Sequence, residues 1–243
     1  MTTAILKINN LTTSIKHTPV LKNLSFEIQN EGEIHIIMGP NGCGKSTLSK
    51  TLTGHPSYII ENGEILFKNI KGEVINLLEL EPNERALNGI FLGFQNPIEI
   101  TGISNLDFLK EIYNQHAEYR NEETYDNTFM FESKITQLLQ KVNLSSHFLY
   151  RNVNEGFSGG EKKRNELLQL LLIKPKLIIL DEIDSGLDID SMEIALNLIQ
   201  TLLEQNSSII LISHYTNFIK KVFNLNKPFK IYQIQNCKIV QLG

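Results

Sequence analysis

The nine residues GPNGCGKST (39–47) follow a short apolar run, EIHIIM, and open a segment of helical character that stops at Gly54 and Pro56. They fit GxxxxGK[ST] in the setting that the chemistry needs, between a buried strand and a helix. Gly39, Gly42 and Gly44 let backbone amides turn inward around phosphate oxygens, with Pro40, Asn41 and Cys43 completing the loop. The N-terminus of the following helix adds a favourable dipole. Lys45 would reach the β- and γ-phosphates of a nucleotide such as ATP, the Ser46 hydroxyl is a ligand for Mg²⁺, and Thr47 closes the motif. A chance Gly-rich turn matches this pattern in roughly one chain in a hundred of this length, with glycine near ~7% of residues. The strand and helix flanks reduce that further. Cys43 is read as the small side chain the loop can accommodate, in preference to a reactive thiol.

LIILDE (177–182) places Asp181 and Glu182 at the C-terminal end of a buried strand, the edge of an α/β sheet where ligands bind. Asp181 can hold Mg²⁺ directly or through water, and Glu182 can polarise an attacking water. Acids at a strand end are otherwise commonly helix caps; beside a phosphate loop the catalytic reading is favoured. FSGGEKKR (157–164) brings Ser158, Gly159 and Gly160 to the start of another helix, a second backbone-amide anion site separate from the first.

Positioning these residues requires alternating strands and helices. Leu21, Leu24, Phe26 and Ile28 alternate ahead of EIHIIM; LIILDE and SSIILIS are further apolar strands; Met192, Ala195, Leu196, Ile199, Leu202 and Leu203 recur at helical spacing. Short strands and polar turns fill 59–94. Between 95 and 157 the pattern turns helical, with Leu106, Leu109, Ile112 and Tyr113 in one segment and Ile135, Leu138, Leu139 and Val142 in another, separated by the polar loop RNEETYDNT. The pattern predicts one α/β domain over 1–243, with a parallel sheet in 1–94 and 158–243 and a helical lobe inserted at 95–157.

The order of phosphate loop, Gln95 in GFQNP, FSGGE, LIILDE, SGLD (185–188) and His214 in SHY resembles the ABC-type ATPases throughout. The resemblance implies a RecA-like parallel-sheet core with an antiparallel β subdomain and a helical lobe. It implies a head-to-tail homodimer in which Ser158, Gly159 and Gly160 of one subunit close over the γ-phosphate held by the phosphate loop of a second ABC ATPase subunit. By the same resemblance Gln95 contacts Mg²⁺ and the attacking water, Asp188 links the two sites, and His214 holds the γ-phosphate. Two departures stand out. Glu161 replaces the family's usual Gln, and a carboxylate cannot donate the hydrogen bonds an amide can. TTSIKHTPVL carries no aromatic to stack on adenine, which leaves His17, Ile15 or Val20 to cover the base.

Within that family, GFSGGEKKRNE, DEIDSGLDID and FQNPIEITGISN together resemble the SufC-type ATPases of SUF iron-sulfur cluster assembly. That implies scaffold partners of the SufB and SufD type, engaged through the helical lobe and the Gln95 region. The nucleotide-binding subunit of a membrane transporter would share every catalytic residue and is the main alternative. A nucleic-acid switch is the weakest reading, because the net charge is -4 and long coiled coils and zinc insertions are missing from the sequence. Cys43 and Cys237 lie far apart and form no metal spacing, so iron and sulfur would be bound by partners. With no signal-like N-terminus and no apolar stretch of about 18 residues, the expectation is a soluble protein of a plastid stroma or a bacterial cytoplasm.

Overall fold

The structure is a computed structural model that describes residues 4–183, 188–213 and 215–242. His214 and the SGL of SGLD (185–187) lie outside the described residues. The chain divides into two compact units, residues 1–93, 175–182 and 202–243, and residues 94–174 and 183–201.

The first unit opens with β1 (Leu6–Ile15) and β2 (Thr18–Ile28), antiparallel and joined by a two-residue turn in which Lys16 and His17 both have positive φ. β3 (Ile34–Met38) leads into the phosphate loop and α1 (Lys45–Leu52). β4 (Ile59–Lys68) and β5 (Val74–Asn76) complete an antiparallel sheet of order β2-β1-β4-β5. α2 (Pro82–Leu87) and β6 (Ile90–Gly93) follow. After the second unit come β9 (Leu177–Asp181), β10 (Ser208–Ile212), α7 (Thr216–Phe223), β11 (Phe229–Gln235) and β12 (Lys238–Gln241). They join β3 and β6 in a six-stranded sheet of order β12-β11-β3-β10-β9-β6, parallel except for β12.

β9 and β10 are buried along their whole length, and β3 along all but its last residue, which is why each is predominantly apolar with no polar alternation. Each fully buried Leu or Ile here contributes about 1.5–3 kcal/mol. His35 interrupts β3 yet is fully buried, because its ring nitrogens meet Tyr232 Oη at 3.2 Å and Glu33 Oε2 at 3.1 Å. Burial pushes its pKa down to about 4, so the ring is neutral at physiological pH.

Sequence periodicity missed α2. Its N-terminus carries a capping box between Glu81 and Glu84 with Pro82 at the first turn, signals that were present in the chain. Arg85 of α2 is buried and donates through Nη1 to the carbonyls of Thr51 (2.8 Å) and Leu52 (3.2 Å), capping the C-terminal end of α1.

The second unit contains β7 (Ile100–Ser104), α3 (Asn105–Arg120), α4 (Thr128–Lys141), β8 (Asn152–Val153), α5 (Gly159–Ile173) and the first residues of α6 (Ile189–Glu204). This unit extends past the predicted 95–157. α5, which begins at the first glycine of FSGG, packs on α3 and α4 and so groups with the helices. Leu109, Phe131, Ile135 and Leu139 are buried in it, and β7, a short strand that periodicity did not separate from α3, pairs with β8.

Candidate functional site

The first unit brings the phosphate loop and the end of β9 together. Gly39, Gly42 and Gly44 have φ of 151°, 79° and 110°. A Cβ on Gly39 would sit 2.7 Å from Cys43 Sγ, and one on Gly44 would sit 2.7 Å from Leu21 Cδ2, so both positions are closed to a side chain by geometry and by space. Gly44 caps α1 without a side-chain bond, which leaves the first amides of that helix for an anion. Pro40, Asn41 and Gly42 form the outer turn, with Cys43 N–H donating to Pro40 O at 3.3 Å. Cys43 packs against the hydrophobic core of this unit and is half-buried, in keeping with its reading as a small loop residue. Lys45 is only 5% exposed, and its ammonium donates to the carbonyls of Gly39 (2.9 Å) and Pro40 (3.0 Å), within the loop it serves. Thr47 is buried beneath.

Asp181 is 6% exposed at the end of β9. Ser49 Oγ donates to its Oδ2 at 2.9 Å and Ser46 Oγ to its Oδ1 at 3.4 Å, so both serines on one face of α1 meet one carboxylate. Among the described residues no three His, Cys, Asp or Glu side chains gather as a metal cluster. The oxygen pair of Ser46 and Asp181 fits Mg²⁺, which takes one or two protein ligands and completes its shell with phosphate and water. Glu182 follows at a φ of 51°, rare for a residue with a side chain, with its N–H donating to Ile212 O at 2.9 Å. Of the adenine candidates, Val20 lies against Gly44, Ile15 ends β1, and His17 is exposed in the turn.

The second unit holds Ser158, Gln95 and Asp188. Ser158 caps α5 in a reciprocal box: its Oγ accepts from Glu161 N at 3.3 Å and Glu161 Oε2 accepts from Ser158 N at 2.7 Å. Glu161 therefore works as an acceptor, a task a carboxylate does well, and the Ser158 amide holds its pKa below the usual carboxylate range. Gly159 and Gly160 open the helix. Among the described residues a Cβ on Gly159 would meet nothing within 4 Å, so neither space nor φ demands glycine there. Gln95 is exposed, directly after Phe94. Asp188 is exposed, accepts from Ser191 N at 2.7 Å at the start of α6, and lies 3.9 Å from Arg164. The Ser191 hydrogen bonds lower its pKa.

Ser49, Arg85 and Arg164 escaped the sequence reading. Ser49 had a signal, its i+3 spacing from Ser46 on the helix; Arg85 and Arg164 act across distances that periodicity does not report.

A family model described as ABC transporter matches residues 21–185. Among curated proteins, the chain is 51% identical to "Probable ATP-dependent transporter ycf16" of Cyanophora paradoxa, covering 99% of this chain and 89% of that protein. It is 48% identical to "Probable ATP-dependent transporter slr0075" of Synechocystis sp., covering 100% and 91%. It is 43% identical to "ABC transporter I family member 6, chloroplastic" of Arabidopsis thaliana, over 92% of this chain and 63% of that one. Its fold matches the dimeric post-hydrolysis ATP-binding cassette MJ0796 bound to ADP and Pi, with a TM-score of 0.76, 21% identity and coverage of 98% and 99%.

Gly159 yields a clean separation of fold from function. Gly159→Ala should leave the melting temperature unchanged or raised, since alanine is favoured in a helix by about 1 kcal/mol, while ATP turnover falls by at least tenfold, near 1.4 kcal/mol. Normal turnover with an alanine there would show that no group from outside the chain approaches this position.

Proposed function

Because the chain belongs to the ABC transporter family, whose cassettes bind ATP with Mg²⁺ and hydrolyse it, we propose that two copies pair head to tail and use that hydrolysis to drive a conformational change in a SufB/SufD-type scaffold during iron-sulfur cluster assembly. One observation carries the scaffold reading. The two segments most like SUF ATPases, FQNPIEITGISN and GFSGGEKKRNE, interlock: Glu166 Oε1 accepts from Phe94 N at 2.7 Å, and Lys162 pairs with Glu99 at 2.6 Å. The features that distinguish this chain within its family thus form one physical patch on the second unit, where a partner is expected to dock.

In the proposed cycle Lys45 exchanges its Gly39 and Pro40 carbonyls for phosphate oxygens, and the loop amides with the N-terminus of α1 hold the remaining charge. Ser46 and Asp181 would hold Mg²⁺, with Gln95 as a further contact, and the ion would neutralise charge on the β- and γ-phosphates. Glu182 orients the attacking water and accepts its proton. Ser158, Gly159 and Gly160 from the second copy close over the γ-phosphate, Asp188 joins the two sites, and His214 contacts the γ-phosphate. Iron and sulfur belong to the scaffold on this reading, and the compartment is a plastid stroma or a bacterial cytoplasm, which the chloroplastic name of the Arabidopsis relative supports.

A second reading is favoured by the printed names of the relatives, which call them transporters. Among the described residues no helix is long and apolar enough to cross a membrane. On that reading other chains would supply the spans, and the same patch would receive them.

Glu182→Gln should keep ATP affinity and reduce turnover by about 10²- to 10⁴-fold, the usual contribution of a general base; near-normal turnover would remove Glu182 as the principal base. Affinity purification of the tagged protein from native soluble and membrane fractions, with partners identified by mass spectrometry, separates the two roles. Recovery of soluble scaffold subunits is the expected outcome, and recovery of polytopic membrane proteins in their place would establish the transporter reading.

A further inference from the structure

The segment 94–98, which carries Gln95, has little apolar burial to fix it, since Phe94 is 45% and Ile98 64% exposed. Its backbone is held by polar side chains of α5 and of the turn after β8. Glu166 Oε1 accepts from Phe94 N at 2.7 Å, and Lys163 Nζ donates to Phe94 O. At the other end Asn154 Nδ2 donates to Ile98 O at 2.7 Å, while Asn154 Oδ1 accepts from Asn165 Nδ2 of α5 at 3.0 Å. Both backbone polar groups of the residue before Gln95 are therefore gripped by one helix, the helix that Ser158 caps.

Glu166 is an unusual choice for a purely structural contact. Its side chain is 5% exposed, its Oε2 is buried without a hydrogen-bond partner, and Lys163 Nζ stands 3.8 Å from that oxygen. Burying a carboxylate with one oxygen left without a hydrogen bond is costly, even with an ammonium 3.8 Å away. Burial is the largest influence on its acidity and pushes its pKa up to about 7, against the pull of Lys163 and the Phe94 amide. A smaller residue would avoid that cost, but it would leave the Phe94 amide and the course of the chain into Gln95 unfixed.

We propose that Glu166 is a positioning residue for Gln95: from α5 it fixes the Phe94 amide, and thereby sets where the Gln95 side chain meets Mg²⁺ and the attacking water. This rests on the role given to Gln95 above.

The test compares Glu166→Gln, which keeps an acceptor of the same reach, with Glu166→Asp, which keeps the charge and retracts the acceptor. The readouts are the Mg²⁺ concentration giving half-maximal binding of a non-hydrolysable ATP analogue, and kcat. Glu166→Asp should raise the half-maximal Mg²⁺ concentration and lower kcat, each by about tenfold, the scale of one charge-assisted hydrogen bond. Glu166→Gln should stay within about twofold of the parent on the same scale. Gln95→Ala should show the Glu166→Asp defect and make that substitution silent when the two are combined. A Glu166→Asp protein with parental Mg²⁺ response, or defects that add independently to those of Gln95→Ala, would overturn the proposal. If Gln95→Ala alone leaves the Mg²⁺ response unchanged, the Gln95 assignment fails and the proposal with it. If Gln95→Ala shifts that response and Glu166→Asp does not, only the positioning claim falls.

Discussion

The hydrogen bond from Ser49 to Asp181 is the contact on which the rest of the nucleotide site depends. Asp181 is buried at a strand end, and a buried carboxylate is stable only with partners. Ser49 and Ser46 supply them, and in doing so they set the rotation of α1 about its axis. That rotation directs the α1 N-terminus and Lys45 into the glycine loop, while Arg85 holds the other end of the helix. Remove the bond and the loop keeps its residues but loses its alignment with the Ser46 and Asp181 oxygens.

The second unit is organised in the same way around α5. Its N-terminus carries the Ser158–Glu161 box, its Arg164 reaches Ser191 at 3.1 Å beside Asp188, and its Glu166 reaches the Gln95 segment. One helix therefore touches the Ser158 loop, the turn holding Asp188 and the segment that leads into Gln95. The exposed Gly159 at its start, where a Cβ would meet no described atom within 4 Å, is the local feature that the proposed second copy would approach.

Much of this was legible in the sequence where the chemistry is local. Residues 39–47 and 177–182 carry their roles in consecutive positions, and the apolar strands before them are long enough to read. What escaped depends on contacts between distant segments. Ser49 is an ordinary helix serine until Asp181 is placed beside it. The grouping of α5 with α3 and α4 follows from packing that helical spacing does not encode. Glu161 is a different kind of miss: the pattern S-x-x-E before a helix is a capping signal, and the sequence reading takes it as a departure from the family's glutamine and as part of the SUF-like segment, not as a cap. The Glu81–Pro82–Glu84 start of α2 was overlooked in the same way.

The account stands on sites shared between two copies, and mixing two inactive variants tests this most directly. A Ser158 variant retains its own phosphate loop, and a Lys45 variant retains its signature loop, so a mixed pair contains one intact interface. ATP turnover measured across mixing ratios should rise above that of either variant alone. If both variants are folded and able to pair, and no ratio restores turnover, the sites are not shared.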